Sequence, residues 1–121
     1  MRTNAILSIK PQYVEEIIAG TKKYEYRKSI FKRPVNKVYI YASAPVSMIV
    51  GEFEVSQILE STPSLVWQQT KEYSGIKKTW FDQYYAGRSI AYAIAIKNLH
   101  IYGTPKRLSC PAPQSFCYTD K

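Results

Sequence analysis

The sequence predicts an α+β domain in which about five to six strands curl into a partly open barrel, with short helices covering it. Three observations predict this. Period-two alternation recurs along the chain, helix signals fall in short pieces between the alternating stretches, and two strands carry bulge signals at Gly51 and Asn98. Strict strand–helix alternation, which would argue for a parallel doubly wound sheet, is missing.

Ala5–Ile9 reads as the first strand. Pro11 suits a first helical turn, where its missing N–H is no loss, and Val14, Ile17 and Ile18 follow at helical spacing until Gly20 stops the helix. Glu15 and Glu16 are expected to face water. Lys23–Lys28 alternates, with Tyr24 and Tyr26 opposite Glu25 and Arg27, and Lys37–Ser43 alternates again around Val38, Ile40 and Ala42. Ser47–Leu59 is a long strand interrupted by Gly51, whose missing side chain suits a sharp bend. Thr62-Pro63 opens a helix expected to reach Tyr73 and end at Gly75, and Thr79 with Asp82 predicts a capping box for another helix through Tyr85 to Gly87. Trp67, Trp80 and Phe81 lie on these helices and are expected in the core. Ser89–Tyr102 is the last strand, its apolar phase slipping near Asn98. The tail from Thr104 is expected to be irregular but packed.

With 121 residues the chain is one domain, spanning 1–121, large enough to build a core without disulfides or metal. No apolar run approaches the ~20 residues of a membrane helix, and the first residues lack a secretory h-region. A cytoplasmic monomer with no membrane partner is the expectation. Cys110 and Cys117 are then expected to be reduced thiols, although a Cys110–Cys117 disulfide stays open. His100 is the sole histidine and there is no CxxC pattern, so neither a metal site nor a cofactor is expected.

Charge is the first functional clue. Seventeen Lys and Arg against nine Asp and Glu give +8, and Lys22, Lys23, Arg27, Lys28, Lys32, Arg33 and Lys37 crowd one segment opposed by Glu25 alone. Clustered basic residues interleaved with tyrosines such as Tyr24, Tyr26, Tyr39 and Tyr41 suit phosphate contact and base stacking. The plainer readings are a solvated basic face and ordinary cross-strand tyrosine packing.

Gly20-Thr21-Lys22-Lys23-Tyr24-Glu25-Tyr26-Arg27 resembles the GxKxxExR hallmark of the ASCH family, and matches it throughout. Leu7-Ser8-Ile9-Lys10-Pro11 and Ala112-Pro113-Gln114-Ser115-Phe116 are similar to segments of a bacterial and phage branch of that family. The resemblance implies a PUA-like barrel and a nucleic-acid-binding module with a regulatory role, RNA favoured over DNA, or a bound nucleotide. Some members are similar to hydrolases of nucleic acids or nucleosides. Those that release the acyl group of N4-acylated cytidine use a Lys, a Thr and a Glu. Lys22 matches the lysine, Glu25 stands at the threonine position, and Glu72 is the nearest candidate for the third. A carboxylate can activate water but cannot replace a hydroxyl nucleophile.

The motif has a physical reading of its own. Glu25 and Arg27 share one strand face about 7 Å apart. Lys22 and Arg27 can neutralise phosphate, and Glu25 can orient them or accept from a base amine. A purely structural Glu–Arg pair is the competing account. The expected site is a cleft at the barrel mouth where Lys10, Lys22, Glu25 and Arg27 converge, walled by Tyr41, Ser43 and Gln114. Lys32, Arg33 and Lys37 extend it as a basic surface. As an enzyme, the chain would use Lys22 with Glu25 or Glu72.

Overall fold

The computed structural model describes residues 3–119. In chain order it has β1 (Thr3–Ile9), α1 (Pro11–Ala19), β2 (Tyr24–Arg27), β3 (Val35–Ala42), β4 (Met48–Ser61), α2 (Pro63–Thr70), a 3-10 turn (Lys71–Tyr73), α3 (Lys78–Tyr84), β5 (Ala91–Lys106) and β6 (Phe116–Thr119).

The strands form one sheet in the order β2-β5-β4-β3-β1-β6. The β1–β3 pair is parallel and every other pair is antiparallel. Register breaks curl this sheet into a half-barrel. One lies where Ile40 pairs with Gly51 but Tyr41 with Ile49. Another lies where Glu52 pairs with His100 but Glu54 with Lys97, leaving Asn98 in the left-handed region at φ 52°. Both expected bulges are therefore present. At Gly51 a Cβ would sit 2.6 Å from the His100 carbonyl oxygen, so the close approach demands glycine.

Alternation buries both faces. Leu7, Ile9, Val38, Ile40, Phe53 and Ile94 fill the barrel interior, sealed by Val14 and Ile17 of α1. The opposite face of β5 carries Ala91 and Ala93, small enough for Val66 of α2, Phe81 of α3 and Tyr85 just after it to lie close against the sheet with Tyr26. Tyr26 thus belongs to the helix-side core while Glu25 and its pairing partner Ile94 face the barrel side.

Three local expectations are corrected. The tail is not irregular throughout: β5 runs on to Lys106, and β6 pairs with β1, covering Phe31 with Phe116 and Tyr118. Thr79 does not cap α3. The cap falls two residues earlier, Lys77 at that position makes no side-chain bond, and Asp82 is drawn to Lys78 at 2.7 Å. Trp80 is not core but half-buried. Among the described residues no helix is long and apolar enough to cross a membrane.

Candidate functional site

The helix α1 ends at Gly20, whose φ of 84° turns the chain sharply. The backbone N–H of Lys22 then donates to the Glu16 carbonyl at 3.1 Å, which fixes the entry to β2. A loop fifty residues later closes over it. Lys22 bridges to Ser74, and at Gly75 a Cβ would lie 2.4 Å from that of Lys22. Only glycine, at φ 67°, fits there. Lys22 is left 2% exposed.

Its ammonium is held by three different kinds of partner. It donates to the Ser74 carbonyl at 3.0 Å, lies 3.9 Å from Glu25 Oε1, and sits 4.7 Å from the ring centre of Tyr26. Burial pushes Lys22 below the ordinary lysine value, against the opposing pull of Glu25 and then Glu16. Burial also raises Tyr26 to about 12. Thr70 gives its own proton to the Val66 carbonyl, so the Tyr26 hydroxyl donates to Thr70 at 2.7 Å.

Arg27 laces the mouth together. One nitrogen donates to Glu25 at 2.9 Å and to the Ser8 carbonyl at 3.3 Å, and another donates to the Ser115 hydroxyl at 2.6 Å. The segment carrying Ser115 is anchored in turn, its carbonyl accepting from the Ser8 N–H at 2.9 Å. One guanidinium therefore joins the β2 edge to β1 and to the stretch before β6.

These groups line a cleft of about 420 Å³, inside the ~300–1,000 Å³ range usual for small-molecule sites. The structure brings Lys10, Lys22, Glu25, Arg27, Ser43 and Gln114 to this one cleft. Three cations there face one carboxylate. The facing wall is aromatic: Tyr13 meets Trp80 edge-on at 5.5 Å, and Trp80 stacks on Tyr84 at 4.9 Å with the rings 15° apart.

Residues 7–100 match the family model of the ASCH domain. The chain belongs to the ASCH domain family. An ASCH domain-containing ribonuclease of Zymomonas mobilis is 22% identical over 98 residues, covering 80% of this chain and 66% of that protein. Large ribosomal subunit protein uL22 of Ureaplasma parvum is 34% identical over 79 residues, covering 63% of this chain but 25% of that protein. The ATP synthase subunit alpha of the same organism is 26% identical over 118 residues, 93% of this chain and 15% of that protein. The chain thus matches about a quarter or less of the length of those two relatives. The crystal structure of ASCH from Zymomonas mobilis superposes with a TM-score of 0.88 at 21% identity, covering 98% of this chain and 88% of that one, which establishes the fold.

Other expected residues of this ASCH domain do not line the cleft. Tyr41 is buried beside Ser8 in the β1–β3 ladder and does not line the cleft. Glu72 is exposed in the 3-10 turn, outside it. Lys32, Arg33 and Lys37 also lie outside the cleft lining. Lys37 pairs with Glu52 at 3.0 Å, Arg33 lies over the Tyr118 ring, and the Lys32 N–H donates to the Tyr118 hydroxyl. Tyr13, Trp80, Tyr84 and Ser115 of the lining were missed. For Trp80 and Tyr84 the signal existed: they repeat at i, i+4 beside the buried pair Phe81 and Tyr85, giving α3 two aromatic stripes.

Proposed function

We propose that this ASCH domain takes one nucleotide of single-stranded RNA into the cleft and cleaves the backbone there by attack of the 2′-oxygen on the neighbouring phosphorus. The observation that carries this reading is Lys22, a buried amine lowered by its surroundings and facing a cleft that also presents a fixed guanidinium. Such an amine exchanges protons closer to neutral pH than a surface lysine does.

In its base form Lys22 takes the 2′-hydroxyl proton as the O2′–P bond forms. Arg27 and Lys10 hold the non-bridging oxygens as charge builds on them. The 5′-oxygen leaves opposite the attacking oxygen and takes a proton from water as the P–O5′ bond breaks, and the Lys22 ammonium returns its proton to solvent. The products are a 2′,3′-cyclic phosphate and a free 5′-hydroxyl. Glu25, set between Lys22 and Arg27, keeps both cations in register. The Tyr13–Trp80–Tyr84 wall offers rings against which a base can stack, worth ~1–3 kcal/mol per base. The relative named as a ribonuclease supports RNA as the substrate class. The matches to minor parts of uL22 and an ATP synthase subunit support a portable module rather than either named role.

The test is incubation with single-stranded RNA, its 2′-O-methyl and DNA counterparts, and N4-acetylcytidine, followed by mass spectrometry. Cyclic phosphate ends are expected from RNA alone, falling at least about 100-fold in Lys22→Met and Arg27→Ala, with RNA still bound by Lys22→Met. RNA that binds and stays intact overturns cleavage and leaves a binding module. Acetate released from N4-acetylcytidine, with RNA untouched, replaces this reading by an amidohydrolase.

A further inference from the structure

A second hollow adjoins the cleft on the far side of Trp80. It has a volume of about 430 Å³ and shares Tyr13, Ile76 and Trp80 with the cleft as a common wall. Its remaining polar lining, Lys77, Thr79 and Gln83, belongs to this hollow alone. Thr79 and Gln83 stand at i, i+4 on α3 with Trp80 beside them, so one helix face supplies most of it. Lys78, the neighbouring cation, is engaged with Asp82 and lines neither space.

Trp80 is well braced for a partition. Tyr84 stacks on it and Tyr13 meets it edge-on, so little rotamer freedom is left to lose when a base packs against it. Gln83 offers both a donor and an acceptor, the pattern that a nucleobase edge presents in return. Lys77 adds a cation at the rim, and the hollow holds no carboxylate.

Resting on the RNA reading of the cleft, we infer that this hollow seats the base of the nucleotide next to the one in the cleft, so that the recognised unit is a single-stranded dinucleotide straddling Trp80. Lys77 contacts the phosphate on that side, and Gln83 and Thr79 meet the base edge. A nucleoside or mononucleotide fills only half of the surface provided. The strand must be unpaired here, because bases parted by an indole cannot stay stacked within a duplex.

The experiment compares a uridine monophosphate with its 2′-O-methyl dinucleotide and trinucleotide, which bind without being cut. Proteins are the wild type, the double variant Lys77→Ala/Gln83→Ala, and Thr79→Phe, which fills the hollow from an exposed helix position. The dinucleotide is expected to bind wild type about tenfold more tightly than the mononucleotide. That ratio should fall to about one to two in both variants, with mononucleotide affinity and melting temperature unchanged. The log–log salt slope for the dinucleotide should also flatten by about 0.7 in the double variant. A tenfold gain that survives both variants overturns the second seat. So does a wild type that binds the mononucleotide but gains nothing from the second nucleotide, which leaves the cleft reading intact. Failure of wild type to bind any of the three removes the cleft reading and this one together.

Discussion

Tyr26 is tied at once to the helix-side core and to the cation beneath the cleft. Its hydroxyl is raised from 10.0 to about 12, with burial the main cause. The sign follows from proton counts. Between those values the unfolded tyrosine has lost its proton and the folded one has kept it. Stability is therefore intact below pH 10 and falls as pH climbs, by about 2 kcal/mol from this residue near pH 12. Tyr26→Phe removes the bond to Thr70 and should be about 1 kcal/mol less stable at pH 7. Its deficit should shrink or reverse above pH 10; urea titrations at neutral and alkaline pH would show parallel curves if that account is wrong. Gly75→Ala makes a different demand. It forces a side chain into φ 67° and against the Lys22 Cβ, and should lower stability by about 2–4 kcal/mol. Chemical denaturation reads this directly, and a loss under about 0.5 kcal/mol would mean the loop gives way freely. The motif placed Lys22 beside the cleft from sequence, but not its burial, because the lid at Ser74 and Gly75 is remote in the chain and no local pattern links them.

At the scale of elements, sequence rules worked where the chemistry was local. Thr62 accepts from the Leu65 N–H at 3.3 Å, as a cap should. Thr62→Ala is expected to cost about 1 kcal/mol. Thr79→Ala, at the position where the capping box failed, should change stability by less than about 0.5 kcal/mol. Thermal melts of the two variants distinguish a real cap from a coincidental spacing. The bulge at Asn98 was equally legible, since a phase slip leaves a mark in alternation. The strand β6 was not. Four residues after a proline-bearing stretch carry little periodic signal, and their reason to be extended is the open edge of β1 at the other end of the chain. Trp80 was misplaced for a similar cause: aromatic spacing marks two faces of α3, yet only tertiary packing decides which of them is covered.

For the molecule as a whole, only Lys22 and Arg27 of the basic run that stood out in sequence line the cleft. Replacing Lys32, Arg33 and Lys37 together by alanine should leave the RNA salt slope at the cleft within about 0.3 of wild type, whereas Arg27→Ala should flatten it by about 0.7. Equal flattening in both would return the binding surface to the basic run along β3 and the loop before it. Lys10, Lys22, Glu25, Arg27, Ser43 and Gln114, expected at one mouth, all line the cleft, because flanking strands and a family motif bracket it. Lys32, Arg33 and Lys37, near these in sequence, lie outside that lining, and α3 brings Trp80 and Tyr84 to it.

The pairing of β1 with β6 sets a timetable for the chain as it is made. Asn4 meets Thr119, so the first described strand waits for the last before its outer edge is covered. Contacts of such long sequence separation form late and slow the overall rate of folding. Lys22 and Arg27 emerge some ninety residues before Gln114 and Ser115, which close their side of the mouth. A nascent chain thus displays its cations well before the cleft that organises them exists. Pulse-labelled hydrogen exchange during refolding should protect the β4–β5 ladder first and the β1–β6 amides last.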